Sequence, residues 1–470
     1  MKKKISSLGF IMLLIISCGK KKQISTKYTH ITDTIIYQKL GGTQVGDFIC
    51  PKTVNDVIIQ LNNLNPKANV GKPEMTIQGL HNYIKENNIT TITQLLNSLP
   101  DHYKNNFSLV EITKGDGQSS LQYPRIVLFG PDGHLLMNIS TKSNDPKYEL
   151  LDCAELNIDN GNWEFSQFDF TSEKPVLHRN PKSCISCHGE NPRPTWGTNM
   201  DWPGVFGDNE ASGPNGEALS FRHAMRMNEI QKGNGGSDRF NFLEWENEKL
   251  TSGGVRKIAN NNFGAELLVS NMHIGTATAR GIFLRMKHYK PKLYEELRET
   301  FLLLGYDYMF NGLLSDMERR KLYHKYDLNS INPLKNLFAK TGIDMEEAFS
   351  LSTLAKKEKP KLRWSLGAGT LEDLVFLQIL DDLSNDNIEV RNILASLPNN
   401  SGIFKCNGLG KNILEVVQFK MLHMFHLKGA ARYQVNKVYY PQDAENIKSK
   451  VFEPIYDHLI KFLRNKEFKA

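Results

Sequence analysis

Arg125-Ile-Val-Leu-Phe129, Gly130-Pro131-Asp132-Gly133 and His134-Leu-Leu-Met-Asn-Ile139 follow one another without a break. Two β-rich runs around a Pro-Asp-Gly turn predict a β-hairpin, because Pro presets φ in a turn and Gly accepts the positive φ that closes it. A second pair of runs, Tyr148–Ile158 and Trp163–Phe170, is joined by Asp159-Asn160-Gly161-Asn162. The reading is a small antiparallel meander within residues 109–170. It decides the class, since everything around it reads as helix or loop.

Working outward, Thr53 to Leu99 has a helical pattern. Val54, Val57, Ile58 and Leu61 keep a spacing of three to four residues, as do Leu80, Tyr83 and Ile84, with Pro66, Pro73 and Pro100 as punctuation. Residues 23–50 read as a tether. On the other side, Asn180 to Gly216 is dense in Gly and Pro, contains Trp196 and Trp202, and fits no regular element. Helices are expected at 217–231, 263–287, 291–304 and 313–325, with Gly-rich breaks at 232–236 and 253–254. The remainder, 331–470, reads as helical, most clearly at Thr370–Leu383, Asp386–Leu397, Lys411–Lys428 and Val451–Leu463. No internal repeat and no long low-complexity tract interrupts it. The expected fold is α+β, mostly α-helical, with a meander before an irregular loop and helices after it.

The chain of 470 residues is 40% hydrophobic, 10% aromatic and 23% charged, a globular balance that excludes a disordered chain. Its length makes two or three domains the expectation. The net charge is +7, and +4 once Lys2, Lys3 and Lys4 leave with a signal. That surplus does not point to nucleic acid. A single apolar run excludes a polytopic membrane protein.

That run sets the compartment. Met1 to Lys4 are basic and Leu8 to Ile16 apolar, well under the roughly 20 residues that span a bilayer, so residues 1–17 read as a signal peptide. It ends in Ile15-Ile16-Ser17-Cys18-Gly19, which resembles the lipobox of bacterial lipoproteins. The resemblance implies cleavage before Cys18 and a diacylglycerol on its thiol; the alternative is an ordinary secretory signal with a chance cysteine. Lys20-Lys21-Lys22 would then face anionic headgroups. Gly19 replaces the Asp that retains some lipoproteins at the inner membrane. The expected location is the bacterial envelope, lipid-anchored at the outer membrane on its periplasmic side.

Chemistry concentrates at Cys184-Ile185-Ser186-Cys187-His188, a C-x-x-C-H motif that reads as a c-type haem attachment site. Two thiols three positions apart reach the two vinyl groups of one haem, and the adjacent His offers an imidazole to the iron. Two rivals stay open. A zinc site needs a second ligand pair, and no second C-x-x-C or H-x-x-x-H exists. A thioredoxin-like redox pair needs a βαβ context, which the Gly- and Pro-rich surroundings do not supply.

The motif resembles that of the c-type cytochromes. The wider stretch, Asn180 to Gly189 through Pro192-Arg193-Pro194, Trp196 and Asp201 to Gly207, resembles a group of exported bacterial proteins of unknown function. In these a hairpin region precedes one C-x-x-C-H, and a Trp-Pro-Gly segment with helices follows. The likeness covers about residues 120–330. It implies one covalent haem c on Cys184 and Cys187, with His188 as proximal ligand, and is silent about role. Small cytochromes c carry the motif on an N-terminal helix, whereas here it lies mid-chain. A single motif excludes a chain that wires several c-haems.

The sixth ligand has several candidates. Met272 lies on the apolar stripe of helix 263–287 with Ala265, Leu268, Ala279, Phe283 and Met286, as a ligand or as a core methionine. His273 sits about 100° around that helix. Met200 is on the loop near the motif; His178 and the His223, Met225 and Met227 group are weaker candidates, and the sixth position can also be open. Arg179, Lys182 and Arg193 are candidates to pair with propionates or are solvated charges. Trp196 and Trp202 either cover the haem edge or simply pack. His423 and His426 read as structural. Of the six cysteines, Cys50, Cys153 and Cys406 remain, and Cys50 with Cys153 is the expected pair.

These readings divide the chain into a signal (1–17), a lipidated tether (18–50), an α+β domain (51–179), a haem c-binding region (180–330) and a helical region (331–470). The expectation is a lipid-anchored monohaem cytochrome that passes electrons to an unnamed redox partner. A haem enzyme or oxidoreductase subunit with an open iron, and a haem-based sensor or binding lipoprotein, are the alternatives.

Overall fold

A computed structural model describes residues 44–45, 48–49, 71–104, 107–113, 115–130, 133–189, 191–194, 205–206, 221–244, 264–310, 314–349, 371–395 and 453–469. In chain order, a two-residue ladder of β1 (Gln44–Val45) and β2 (Phe48–Ile49) comes first. Then come α1 (Ile77–Glu86), α2 (Ile92–Ser98) and the single turn α3 (Asp101–Lys104). Thr76 caps α1 by accepting from the Gly79 N–H, and Thr91 with Gln94 forms a capping box on α2. Each cap contributes about 1 kcal/mol.

The meander follows as β3 (Phe107–Val110), β4 (Arg125–Leu128), β5 (Leu135–Ile139), β6 (Leu150–Leu156), β7 (Trp163–Asp169) and β8 (Val176–Arg179). Each strand pairs antiparallel with the next, giving the spatial order β3-β4-β5-β6-β7-β8. The hairpin register sets Ile126 opposite Ile139 and Leu128 opposite Met137. Gly130 and Gly133, at φ 61° and 70°, flank its turn as the motif required. The flanking strands β3 and β8 were not legible. All four residues of β3 are buried, so it has no alternation, and β8 is an exposed edge strand carrying His178 and Arg179.

Alternation gives the sheet two faces. Leu109, Ile126, Leu128, Leu135, Met137, Ile139, Leu151, Cys153 and Phe168 point to one side, into a core with Leu80 and Ile84 of α1, and Leu95 and Leu96 of α2. Met227 and Ile230 of α5 (Phe221–Gln231) close that core; α4 (Lys182–His188) precedes α5 in the chain. The other face carries Leu136, Ala154, Leu156, Trp163 and Phe165 against Ile274, Ala277, Ile282 and Phe283 of α6 (Gly264–Tyr289). The β6–β7 turn comes so close to α6 that a Cβ on Gly161, at φ 78°, would stand 2.2 Å from the Gly281 carbonyl oxygen.

The helical layer continues with α7 (Pro291–Phe310), α8 (Asp316–Lys325), α9 (Pro333–Lys340), α10 (Met345–Phe349), α11 (Leu371–Asp386), α12 (Ile388–Ala395) and α13 (Glu453–Lys469). One core runs from Trp163 on the sheet through Phe301, Phe338 and Phe376 to Leu463, drawing on three of the regions read from sequence. Thr53 to Val70 and Lys411 to Lys428 lie outside the described residues. The architecture is α+β, as expected. Among the described residues no helix is long and apolar enough to cross a membrane.

The stretch after the sheet needs a correction. Residues 182–188, expected as irregular loop, form a helix. Pro181 at φ −62° starts it, and its carbonyl accepts from the Cys184 and Ile185 N–H groups at 2.9 and 3.2 Å. Gly189 at φ 83° ends it. Seven residues with none buried leave no periodicity to read.

Candidate functional site

Asn180 fixes where α4 begins. It sits at φ 44°, a conformation Asn tolerates, donates its N–H to the Phe165 carbonyl at 2.6 Å and accepts the Phe165 N–H on Oδ1 at 3.1 Å. The bonds extend the β7–β8 ladder by one position and aim the helix across the sheet. Cys184 and Cys187, an i, i+3 pair, share a side of it and are half-buried. Both line a cleft with His188 and Pro194, over a floor of Val127, Leu136, Asn138, Asp152, Ala154 and Phe165.

The His188 ring packs on Phe165 at 4.2 Å between centroids, and its Nδ1 lies 2.8 Å from the Arg193 carbonyl oxygen. A carbonyl only accepts, so Nδ1 carries the proton and Nε2 keeps a lone pair. Burial pushes the imidazole below its usual pKa, which favours the neutral ring. Arg193 is itself buried. Its Nε donates to the Glu347 carbonyl at 3.0 Å, and Asn191 donates to the Glu347 carboxylate at 3.2 Å. Burial, with Arg285 nearby, lowers the Arg193 guanidinium to about 10.

The floor turns polar away from the thiols. Arg125 and Asp145 form a buried pair at 2.8 Å, and Arg125 Nε also donates to Asn138 at 2.9 Å. Burial alone would raise the Asp145 carboxyl. Hydrogen bonds from the Ser140 hydroxyl and the Lys147 and Gln118 N–H groups, with Arg125, outweigh it and hold the carboxyl low. Asp152 accepts from Gln167 at 2.7 Å. Burial, then the Asp152 carboxylate, pushes the Cys184 thiol up to about 11.

These features weigh the three readings of the motif. A redox dithiol works through a depressed thiol, and Cys184 is shifted the other way. Among the described residues no group of three or more His, Cys, Asp or Glu side chains is arranged to hold a metal ion. Two thiols beside an imidazole whose far nitrogen is already tied suit a covalent haem, for which the second-shell bond sets ligand orientation and basicity. The cleft encloses about 210 Å³. That is less than the about 300–1,000 Å³ of pockets that swallow a ligand, so a group of haem size overruns these walls.

The remaining candidates divide. Met272 and His273 lie on α6, which packs against the cleft side of the sheet through Ile274 and Ala277, although the placement of their own side chains lies outside the described residues. Met200, Trp196, Trp202, Cys18, Cys50, Cys406, His423 and His426 also lie outside them. Arg179 is engaged by Glu164 and Gln78 on the exposed edge. Lys182 is exposed, and His178 stands 3.8 Å from Asp169. His223 is buried away from the cleft, 2.7 Å from Glu111 and stacked on Phe206 at 4.1 Å; Met225 is exposed and Met227 is core. Cys153 corrects an expectation: it is a free, buried thiol, not half of a disulfide with Cys50, because β6 turns it into the closed core.

Sequence reasoning missed Phe165 and Glu347. Phe165 was legible as a strand residue but not as the platform under His188. Glu347 is 154 residues from Arg193 and gave no signal. Comparison with models of known protein families, with curated proteins and with solved structures finds no match.

Proposed function

We propose that the chain is a lipid-anchored, monohaem c-type cytochrome that carries electrons to a redox partner on the periplasmic side of a bacterial envelope. Cys184 and Cys187 hold the haem by thioether bonds and His188 Nε2 serves as its proximal ligand. Bound there, the haem supplies one-electron chemistry at its iron. The chain's own residues do the rest. The Arg193 carbonyl holds the Nδ1 proton and leaves Nε2 its lone pair. Phe165 supports the ring, and Leu136, Ala154 and Phe165 exclude water from the near wall.

The bond from His188 Nδ1 to the Arg193 carbonyl carries this reading, because it prepares the lone pair a metal needs. The distal ligand is proposed to come from α6, as Met272 or His273, with Met200 the alternative. A lipidated Cys18 supplies the anchor.

The test is the absorption spectrum of the reduced, exported protein with and without carbon monoxide. A low-spin spectrum that carbon monoxide leaves unchanged is expected of a six-coordinate carrier. Single Met272→Ala, His273→Ala and Met200→Ala variants then identify the ligand by the one that turns high-spin. If the wild type already binds carbon monoxide, the carrier gives way to an enzyme or sensor with an open iron.

A further inference from the structure

His188 does not hold its own acceptor. The carbonyl it needs belongs to a four-residue strap, Asn191 to Pro194, and that strap is fastened to a helix 154 residues downstream. Arg193 Nε donates to the Glu347 carbonyl at 3.0 Å, and Asn191 Nδ2 reaches the Glu347 carboxylate at 3.2 Å. Arg193 is 6% exposed, so its anchor is shielded from competing water. The acceptor is also firm. α10 ends in Ala348 and Phe349, both buried, and the Phe349 ring meets Phe338 edge-on at 5.1 Å. Phe338 in turn meets Phe301 at 5.0 Å and Phe376 at 6.3 Å, at the centre of the helical core.

We infer that Arg193 is a positioning residue for the proximal ligand: its side chain locks the strap to α10, and its carbonyl thereby sets the tautomer and basicity of His188. The inference rests on the haem reading above for its effect on potential, but not for its effect on the ring. A fixed acceptor on Nδ1 gives the imidazole more anionic character and favours the oxidised iron; a loose one does the reverse. Burying a guanidinium against a backbone carbonyl is a costly way to hold a loop, and Arg285 close by adds to the cost. What that cost maintains is the bond from His188 Nδ1 to the Arg193 carbonyl.

The experiment compares wild type with Arg193→Ala, Arg193→Lys and Asn191→Ala in the full chain. In haem-loaded protein the expected result for Arg193→Ala is unchanged covalent haem, a higher potential by about 59 mV, corresponding to a tenfold change in the one-electron equilibrium, and a weakened iron–histidine stretch. Arg193→Lys, which can still donate to Glu347, should recover most of the shift, and Asn191→Ala should give a small fraction of it. In haem-free protein, nitrogen-15 shifts of His188 should report the Nδ1–H tautomer in the wild type and its loss in Arg193→Ala. An unaltered tautomer in a folded Arg193→Ala chain overturns the inference, as does an unaltered potential. If Arg193→Ala fails to fold, a folded Arg193→Lys chain that has lost the wild-type Nδ1–H tautomer overturns it equally. Absence of covalent haem from the wild type would sink the haem reading instead, while leaving the tautomer result to stand or fall alone.

Discussion

The two faces of the sheet are built from the same strands and do different work. On one face Ile126, Leu128, Leu135, Met137, Leu151 and Phe168 meet α1, α2 and α5, and the polar groups there are few: the buried Ser166 opposite Cys153, and Glu155, which accepts the Ile77 N–H of α1 at 2.7 Å. On the other, Leu136, Leu156, Trp163 and Phe165 meet helices over part of the area, and the rest is a cleft floored by Arg125, Asn138 and Asp152. The closed face is mainly hydrophobic burial. The open face replaces burial with a paired charge network and leaves room for the C-x-x-C-H helix. Stability and chemistry are thus divided by the pleat, one residue apart along every strand.

The comparison is broken most severely at Asp145. Asp145→Ala strands the Arg125 guanidinium in a site where its side chain is 2% exposed. A loss of about 3–5 kcal/mol is expected from chemical denaturation, as for one partner of a buried ion pair. A loss below about 1 kcal/mol, on the scale of a surface pair, would mean that the open face does not depend on the network.

Neighbours on opposite faces sharpen it further. Leu128→Ala, in the closed core, should cost about 2–5 kcal/mol, whereas Val127→Ala, facing the cleft, should cost about 1 kcal/mol because Val127 is only partly buried and lines open space. Equal losses would show that the cleft is as tightly filled as the core.

The smallest expected effect is chemical. Cys184 in a haem-free Cys187→Ala chain should be nearly inert to iodoacetamide at pH 8, where a thiol of pKa about 11 is about one-thousandth thiolate, with the rate rising tenfold per pH unit toward pH 11. Rapid alkylation at pH 7 would restore the redox-dithiol reading.

How much of this the sequence carried follows from the same division. Arg125 to Ile139 announced its hairpin because turn chemistry and β-rich runs coincide there, and α6, α7 and α11 announced themselves by periodicity. β3 and β8 did not, the one too buried to alternate and the other too short and polar. Cys184, Cys187 and His188 were legible as a candidate site because C-x-x-C-H is itself a motif with a fixed spacing. Their support was not. Phe165 and the Arg193–Glu347 bond arise from tertiary contact between distant segments. Asn180-Pro181 was a readable start signal for α4, yet a seven-residue exposed helix offers no apolar stripe to confirm it.

The most direct test is the intact mass and acidified-solvent extraction of the exported protein beside a Cys184→Ala/Cys187→Ala variant. The account predicts a wild-type mass larger by one haem, a colour that stays with the polypeptide on extraction, and a double variant that loses both. A wild-type chain of unmodified mass, or a double variant that keeps covalent haem, would contradict it.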